Sequence, residues 1–211
     1  MPFLAQEHWG EPVIMATVCY AGELGSADYV LAPFRAIATP IADMVRPMPY
    51  PEIYAPDHQG ERLLAVNRNL FLDSVDRSRA EAIVDRLRSA TATMAVAQLR
   101  VLGGAMARVP SEATAFAHRD RGIMANVTAA YRQAEDAPLQ GAWADEFSEI
   151  LRDGYPAAYV NFIGDEGADR VRDAYPGRTW DRLREIKAYY DPANVFRRNH
   201  NIPPRARVER P

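Results

Sequence analysis

The sequence predicts an α+β fold in which an antiparallel β-sheet is covered by helices on one face. Three observations lead there. Segments of strand composition alternate with segments whose apolar residues recur at helical spacing. The strand-like run 94–102 passes through Gly103-Gly104 towards a further strand-like run, 123–131, with no helical pattern announced first. The connections also lack the repeated short βαβ units of a doubly wound sheet.

Taken in order, residues 13–20 (VIMATVCY) are rich in β-branched and apolar side chains and read as a buried strand that ends at the Gly-containing turn 21–25. Ser26 is placed to cap a helix over 27–38, with Val30, Leu31, Phe34 and Ile37 on one face and Pro40 closing it. Pro33 inside that stretch marks a late start or a kink. Prolines at 40, 47, 49, 51 and 56 make residues 40–60 a long connection with a short edge strand near 44–48. Such a connection either lines a site or simply crosses the surface.

Residues 62–72 (RLLAVNRNLFL) read as a strand. Ser78 and Glu81 form a capping-box pattern, and the helix after it carries Ala80, Ile83, Val84 and Leu87 on one stripe. Strands follow over 94–102 and 123–131. A helix over 139–152 turns Trp143, Phe147, Ile150 and Leu151 inward, with Gly154 as its C-cap. Residues 158–163 (AYVNFI) read as a short strand. Helices over 167–174 and 179–190 are split by Pro176-Gly177, the second with a stripe of Trp180, Leu183, Ile186 and Tyr190.

Composition bounds the function. The 211 residues are 48% hydrophobic and 25% charged, the balance of an ordinary globular chain of one large domain, or one domain with a tail. Lys+Arg is 25 against Asp+Glu 28, a net charge of −3, which argues against a dedicated nucleic-acid binder. Lys187 is the single lysine. One cysteine, Cys19, makes no internal disulfide and no Cys-based zinc site, and points to a reducing, cytoplasmic setting. The sequence has no apolar run long enough for a membrane span and no signal-peptide pattern over 1–10.

Most chemical motifs are weak. His8, His58, His118 and His200 lack metal-ligand spacing. Gly103-Gly104 lacks the third glycine and the following helix of a dinucleotide loop, so it reads as a bulge or a close backbone approach. Arg197, Arg198, Arg205, Arg207 and Arg210 read as a solvated tail. The segment 159–162 is more informative. In a strand, Tyr159 and Asn161 share one face and offer a phenol and an amide to whatever lies opposite, while Val160 and Phe162 turn to the core. Asparagine is disfavoured in strands and its presence asks for a reason. Asn126 sits similarly, on one face with Met124 and Thr128.

Residues 159–167 (YVNFIGDEG), 180–187 (WDRLREIK), 190–196 (YDPANVF) and 199–203 (NHNIP) together resemble the C-terminal signature of the berberine bridge enzyme-like FAD-linked oxidases. Upstream, 103–105 (GGA), 114–119 (TAFAHR), 19–22 (CYAG), 40–43 (PIAD) and 46–50 (RPMPY) are similar to that family's substrate domain. The resemblance implies a substrate-binding portion over 1–150 and a berberine bridge enzyme-like segment over 151–211 that returns to the FAD domain. It implies FAD as cofactor, a small-molecule substrate, and oxidation of an alcohol or amine by hydride transfer. By the same likeness Tyr159 and Asn161 lie near the flavin, Asn201 helps to close the flavin site, and Asn126 faces the substrate. Tyr159 and Asn126 are then the catalytic candidates. Phe162 departs from the family, several of whose members carry a catalytic tyrosine there, and a phenylalanine has no proton to exchange. The family's N-terminal FAD-binding half is not in this sequence. The expected partner is therefore a separate FAD-binding domain, or a second copy in a homo-oligomer, and activity is expected only with the FAD-binding half. The competing reading is a stand-alone, non-catalytic α+β binding or dimerisation module.

Overall fold

The structure is a computed structural model that describes residues 5–54, 62–164 and 166–206. Expectations that fall on Pro56, His58, Asp165, Arg207 and Arg210 lie outside the described residues. The chain divides into two compact units, Met1–Glu61 and Arg62–Pro211.

In the first unit the helix forms where Ser26 and the apolar spacing place it, as α1 (Ala27–Arg35). The Ser26 side chain makes no capping bond, and the helix stops three residues short of the expected end. Leu31 is buried, but Phe34 and Ile37 are exposed, so the expected inward stripe reduces to one residue. The expected strand over 13–20 does not form, and Ile14 is 97% exposed. The edge strand near 44–48 is also absent. A strand needs a neighbouring backbone to take its N–H and C=O groups, and among the described residues no second strand pairs with either run. Side chains organise this unit instead. Arg35 holds Asp43 at 2.8 Å and Asp28 at 3.1 Å, and Asp43 Oδ1 accepts the Val45 N–H at 3.0 Å.

The second unit holds a three-stranded antiparallel sheet in the order β1 (Leu64–Leu72), β3 (Ile123–Tyr131), β2 (Met94–Val101). Pairing runs from Leu64 opposite Tyr131 to Leu72 opposite Ile123 on one side of β3, and from Met94 opposite Ala130 to Val101 opposite Ile123 on the other. Helices α2 (Arg77–Arg88) and α4 (Ala137–Leu151) cover one face. There Leu70, Leu72, Ala125, Val127 and Ala129 meet Ile83, Trp143, Phe147 and Leu151 in the main core. The expected antiparallel sheet with helices on one face is thus what the chain builds.

Local details differ. Asp76, not Ser78, caps α2, since its carboxylate accepts the Arg79 N–H at 2.7 Å from an extended backbone position one residue before the helix. Ile150 and Tyr190 turn to the surface rather than inward. Gly103 and Gly104 have φ of +139° and +55°, and no atom crowds either position. Backbone conformation rather than close approach therefore calls for glycine there, at the start of the short helix α3 (Gly104–Ala107). After α4 come α5 (Ala168–Ala174) and α6 (Arg178–Tyr190), separated by the predicted turn, where Gly177 adopts φ +56°.

Candidate functional site

The sheet face away from α2 and α4 is polar. Alternation along the paired strands sends Asn67, Asn69 and Phe71 of β1, Met124, Asn126 and Thr128 of β3, and Gln98 and Arg100 of β2 to this side. Asn126 Nδ2 donates to Thr128 Oγ1 at 3.0 Å, and the Thr128 hydroxyl donates to Asn67 Oδ1 at 2.7 Å. Asn69 lies opposite Asn126 in the register, as does Gln98 on the other side. Asn69 and Asn126 are only 1% and 6% exposed.

At the Phe71–Met124 end, this face meets an aromatic group. Phe71, Phe116, His118, Tyr155, Tyr159 and Phe162 stack edge-on or tilted, with the Phe116 ring 5.7 Å from the Tyr159 ring and at 88° to it. His118 is buried, its Nε2 3.0 Å from the Asp173 carbonyl. Burial holds its pKa below the ordinary histidine value, so the ring is neutral near pH 7 with Nε2–H donating to that carbonyl.

The segment 158–163 is not the expected strand. It runs extended to Tyr159 and then closes a 3₁₀ turn over Val160–Phe162, with the Phe162 N–H on the Tyr159 carbonyl at 2.9 Å. The reason lies in which groups satisfy its backbone. Asn69 Oδ1 accepts the Tyr159 N–H at 2.5 Å. Arg170 of α5 donates to the Asn69 carbonyl at 2.8 Å and to the Ala157 carbonyl at 3.4 Å, and is itself held by Asp173 at 2.8 Å and Glu166 at 3.4 Å. Side chains thus do what a neighbouring strand would have done. The pairing of Tyr159 with Asn161 survives this change, because Asn161 Nδ2 donates to Tyr159 Oη at 2.9 Å.

Asn201 stands apart. Its N–H donates to the Asn199 carbonyl at 3.1 Å, and among the described residues no hydrogen bond joins it to Tyr159, Asn161 or Asn126. The chain leading to it is firmly held. Asp191 accepts the Val195 and Phe196 N–H groups at 2.8 and 3.0 Å and bonds Lys187, whose Nζ also donates to the Phe196 carbonyl. These donors keep the Asp191 carboxyl below its usual range, Lys187 foremost. The tail then runs along α6, with the Arg205 N–H on the Arg184 carbonyl.

Among the described residues, five buried side-chain amide atoms have no hydrogen-bond partner: Asn69 Nδ2, Asn126 Oδ1, Gln140 Oε1, Asn194 Oδ1 and Asn201 Oδ1. Asn69 Nδ2 and Asn126 Oδ1, on register partners of the polar face, make a set of one unspent donor and one unspent acceptor. That set suits a planar heterocycle such as a flavin ring, whose rim alternates carbonyl acceptors with ring nitrogens. Sequence reasoning missed Asn69 and Arg170. The one available signal was the second asparagine in strand 62–72, as out of place there as Asn126 is in its strand.

Residues 158–203 match the family model described as berberine and berberine like. The uncharacterized FAD-linked oxidoreductase YvdP of Bacillus subtilis (strain 168) is 35% identical over 102 residues, 48% of this chain and 23% of that protein. From the same organism, the uncharacterized FAD-linked oxidoreductase YgaK is 28% identical over 204 residues, 94% of this chain and 45% of that protein. Among solved structures, berberine bridge enzyme from Eschscholzia californica superposes with a TM-score of 0.61 at 21% identity, over 71% of this chain and 34% of that one. The chain is similar to part of the berberine bridge enzyme-like FAD-linked oxidoreductases, and spans less than half the length of these relatives.

Proposed function

We propose that the chain is the substrate-binding portion of an FAD-dependent oxidoreductase that oxidises an alcohol or amine. Residues 1–150 form the substrate-binding part, and 151–211 the segment that meets the flavin. One observation carries the reading. The phenol and amide of Tyr159 and Asn161 are hydrogen-bonded to each other beside a polar sheet face, within the stretch matched to the berberine-like family.

FAD, when bound, supplies the hydride acceptor. This chain's residues do the rest. Asn161 and Asn201 hold the cofactor with their amides. Asn126 faces the substrate from β3. The Tyr159 oxygen, its direction fixed by the Asn161 N–H, takes the proton that the substrate hydroxyl or amine gives up. Phe162, 5.8 Å from the Tyr159 ring, walls the site without exchanging a proton.

The first test is the visible spectrum of the purified chain after incubation with FAD and desalting. The chain alone is expected to lose the flavin band, and to keep it when combined with a separate FAD-binding half. In that assembly Tyr159→Phe is expected to slow flavin reduction by substrate by about 10²–10⁴-fold, the worth of a positioned proton acceptor. An unchanged reduction rate in the Tyr159→Phe assembly would remove Tyr159 from the mechanism.

A further inference from the structure

We propose that Arg100 determines specificity, and that the substrate carries a carboxylate which Arg100 receives. The proposal rests on the reading above that the polar sheet face is the substrate face.

Arg100 lies on that face, opposite Met124 in the register and two residues from Gln98, the register partner of Asn126. Its guanidinium is already oriented. Its Cζ lies over the Phe162 ring, 4.7 Å from the centroid, and Nε donates to Gln98 Oε1 at 3.1 Å. Two of the usual freedoms of an arginine, swing and rotation, are therefore spent in the free protein. What stays open is the end that carries the two terminal nitrogens, the fork that matches a carboxylate with two parallel N–H···O bonds. Among the described residues no Asp or Glu pairs with it. Arg68, on the opposite face of the same sheet, is engaged by Asp145 at 2.6 Å. A cation pre-set by an aromatic ring and an amide, and left without its counter-charge, is a receptor for an anion.

The surroundings say which anion fits. Phe162 contacts both Arg100 and Tyr159. Gln98 touches Arg100 and stands opposite Asn126. A row thus runs from Arg100 through Gln98 and Asn126 to Asn69, which holds the Tyr159 N–H. A small molecule spanning that row presents its carboxylate to Arg100 and its hydroxyl or amine to Tyr159 and Asn126. Phe162 gains a positive role here. Having no proton to give, it offers a ring face on which the cation is seated.

The test uses the full chain and four probes, followed by the side-chain amide resonances of Gln98 and Asn126. Sodium benzoate is expected to bind at least about tenfold more tightly than benzamide, its neutral counterpart of the same size, as a charge-assisted fork requires. Arg100→Gln is expected to erase that preference with no change in the unfolding midpoint. Arg100→Lys is expected not to restore it, because an ammonium lacks the fork. Equal binding of benzoate and benzamide, or benzoate binding unaffected by Arg100→Gln, overturns the proposal. Inorganic phosphate binding more tightly than benzoate overturns the carboxylate assignment. Riboflavin is the fourth probe. Riboflavin binding weakened by Arg100→Gln would assign the cation to the flavin carbonyls and overturn its role in specificity, whereas riboflavin binding left unchanged supports it. Failure of the oxidoreductase reading shows separately, as no flavin reduction in the assembled protein, and leaves the benzoate preference standing.

Discussion

The two faces of the sheet are made by the same three strands and differ in almost everything else. On the helix side, Leu70, Leu72, Val127 and Ala129 are sealed against Trp143, Phe147 and Leu151, and hydrophobic burial dominates. On the other side, amides and a hydroxyl stand in a row, and two of them keep buried atoms without partners. A buried unpartnered polar atom costs roughly 1–3 kcal/mol, so stability alone would select against that row. The contrast separates residues that hold the sheet together from residues that the sheet carries for use.

The largest expected effect breaks the covered face. Phe147 is fully buried and stacks edge-on with Trp143 at 5.3 Å. Phe147→Ala is expected to destabilise the chain by about 3–5 kcal/mol in urea unfolding, from lost transfer energy plus the cavity left behind. Next comes the polar face where it touches the backbone. Asn69→Leu removes the acceptor for the Tyr159 N–H and is expected to cost about 1–3 kcal/mol. The more specific signature is faster hydrogen exchange at the Tyr159 amide, with the sheet amides unaffected. Asn126→Ala, at the register partner of Asn69, is expected to cost less, under about 1.5 kcal/mol, because it also deletes an unpaired oxygen. A loss at Asn126 as large as that at Phe147 would erase the distinction between the faces.

The smallest effect is a pH dependence set by His118. The unfolded ring binds a proton near the ordinary value of 6.5, and the buried one binds it only at lower pH. Its contribution is therefore complete above 6.5 and is lost as pH falls through the window below, where the unfolded state holds more protons. Urea midpoints at pH 7.5 and pH 5.5 check the sign, and His118→Phe should flatten the slope. Asp191 acts in the same direction at lower pH, below its ordinary 3.8.

Most of the architecture could be read directly from periodicity. Strand β3 lies where its alternation places it, and β1 and β2 begin or end within two residues of their patterns. These strands found partners within their own unit. The run at 13–20 has as strong a pattern but no paired strand among the described residues, and pattern alone cannot supply one. The candidate site was legible as residue types. Tyr159 and Asn161 were expected side by side by strand alternation, and a tight turn brings them together instead. Asn69 could not be paired with Tyr159 from sequence, because the bond spans 90 positions and follows no local period. The Arg100–Phe162 contact is invisible for the same reason.

The bond between Lys187 and Asp191 also has an analytical use. This chain has a single lysine, and its amine is folded into the clamp that fastens residues 191–196 to the end of α6. An acylating reagent therefore finds no other side-chain amine to modify. The rate at which Lys187 is labelled measures how often that clamp opens, and mass spectrometry of the proteolytic peptide that carries Lys187 reads the opening directly as one added group.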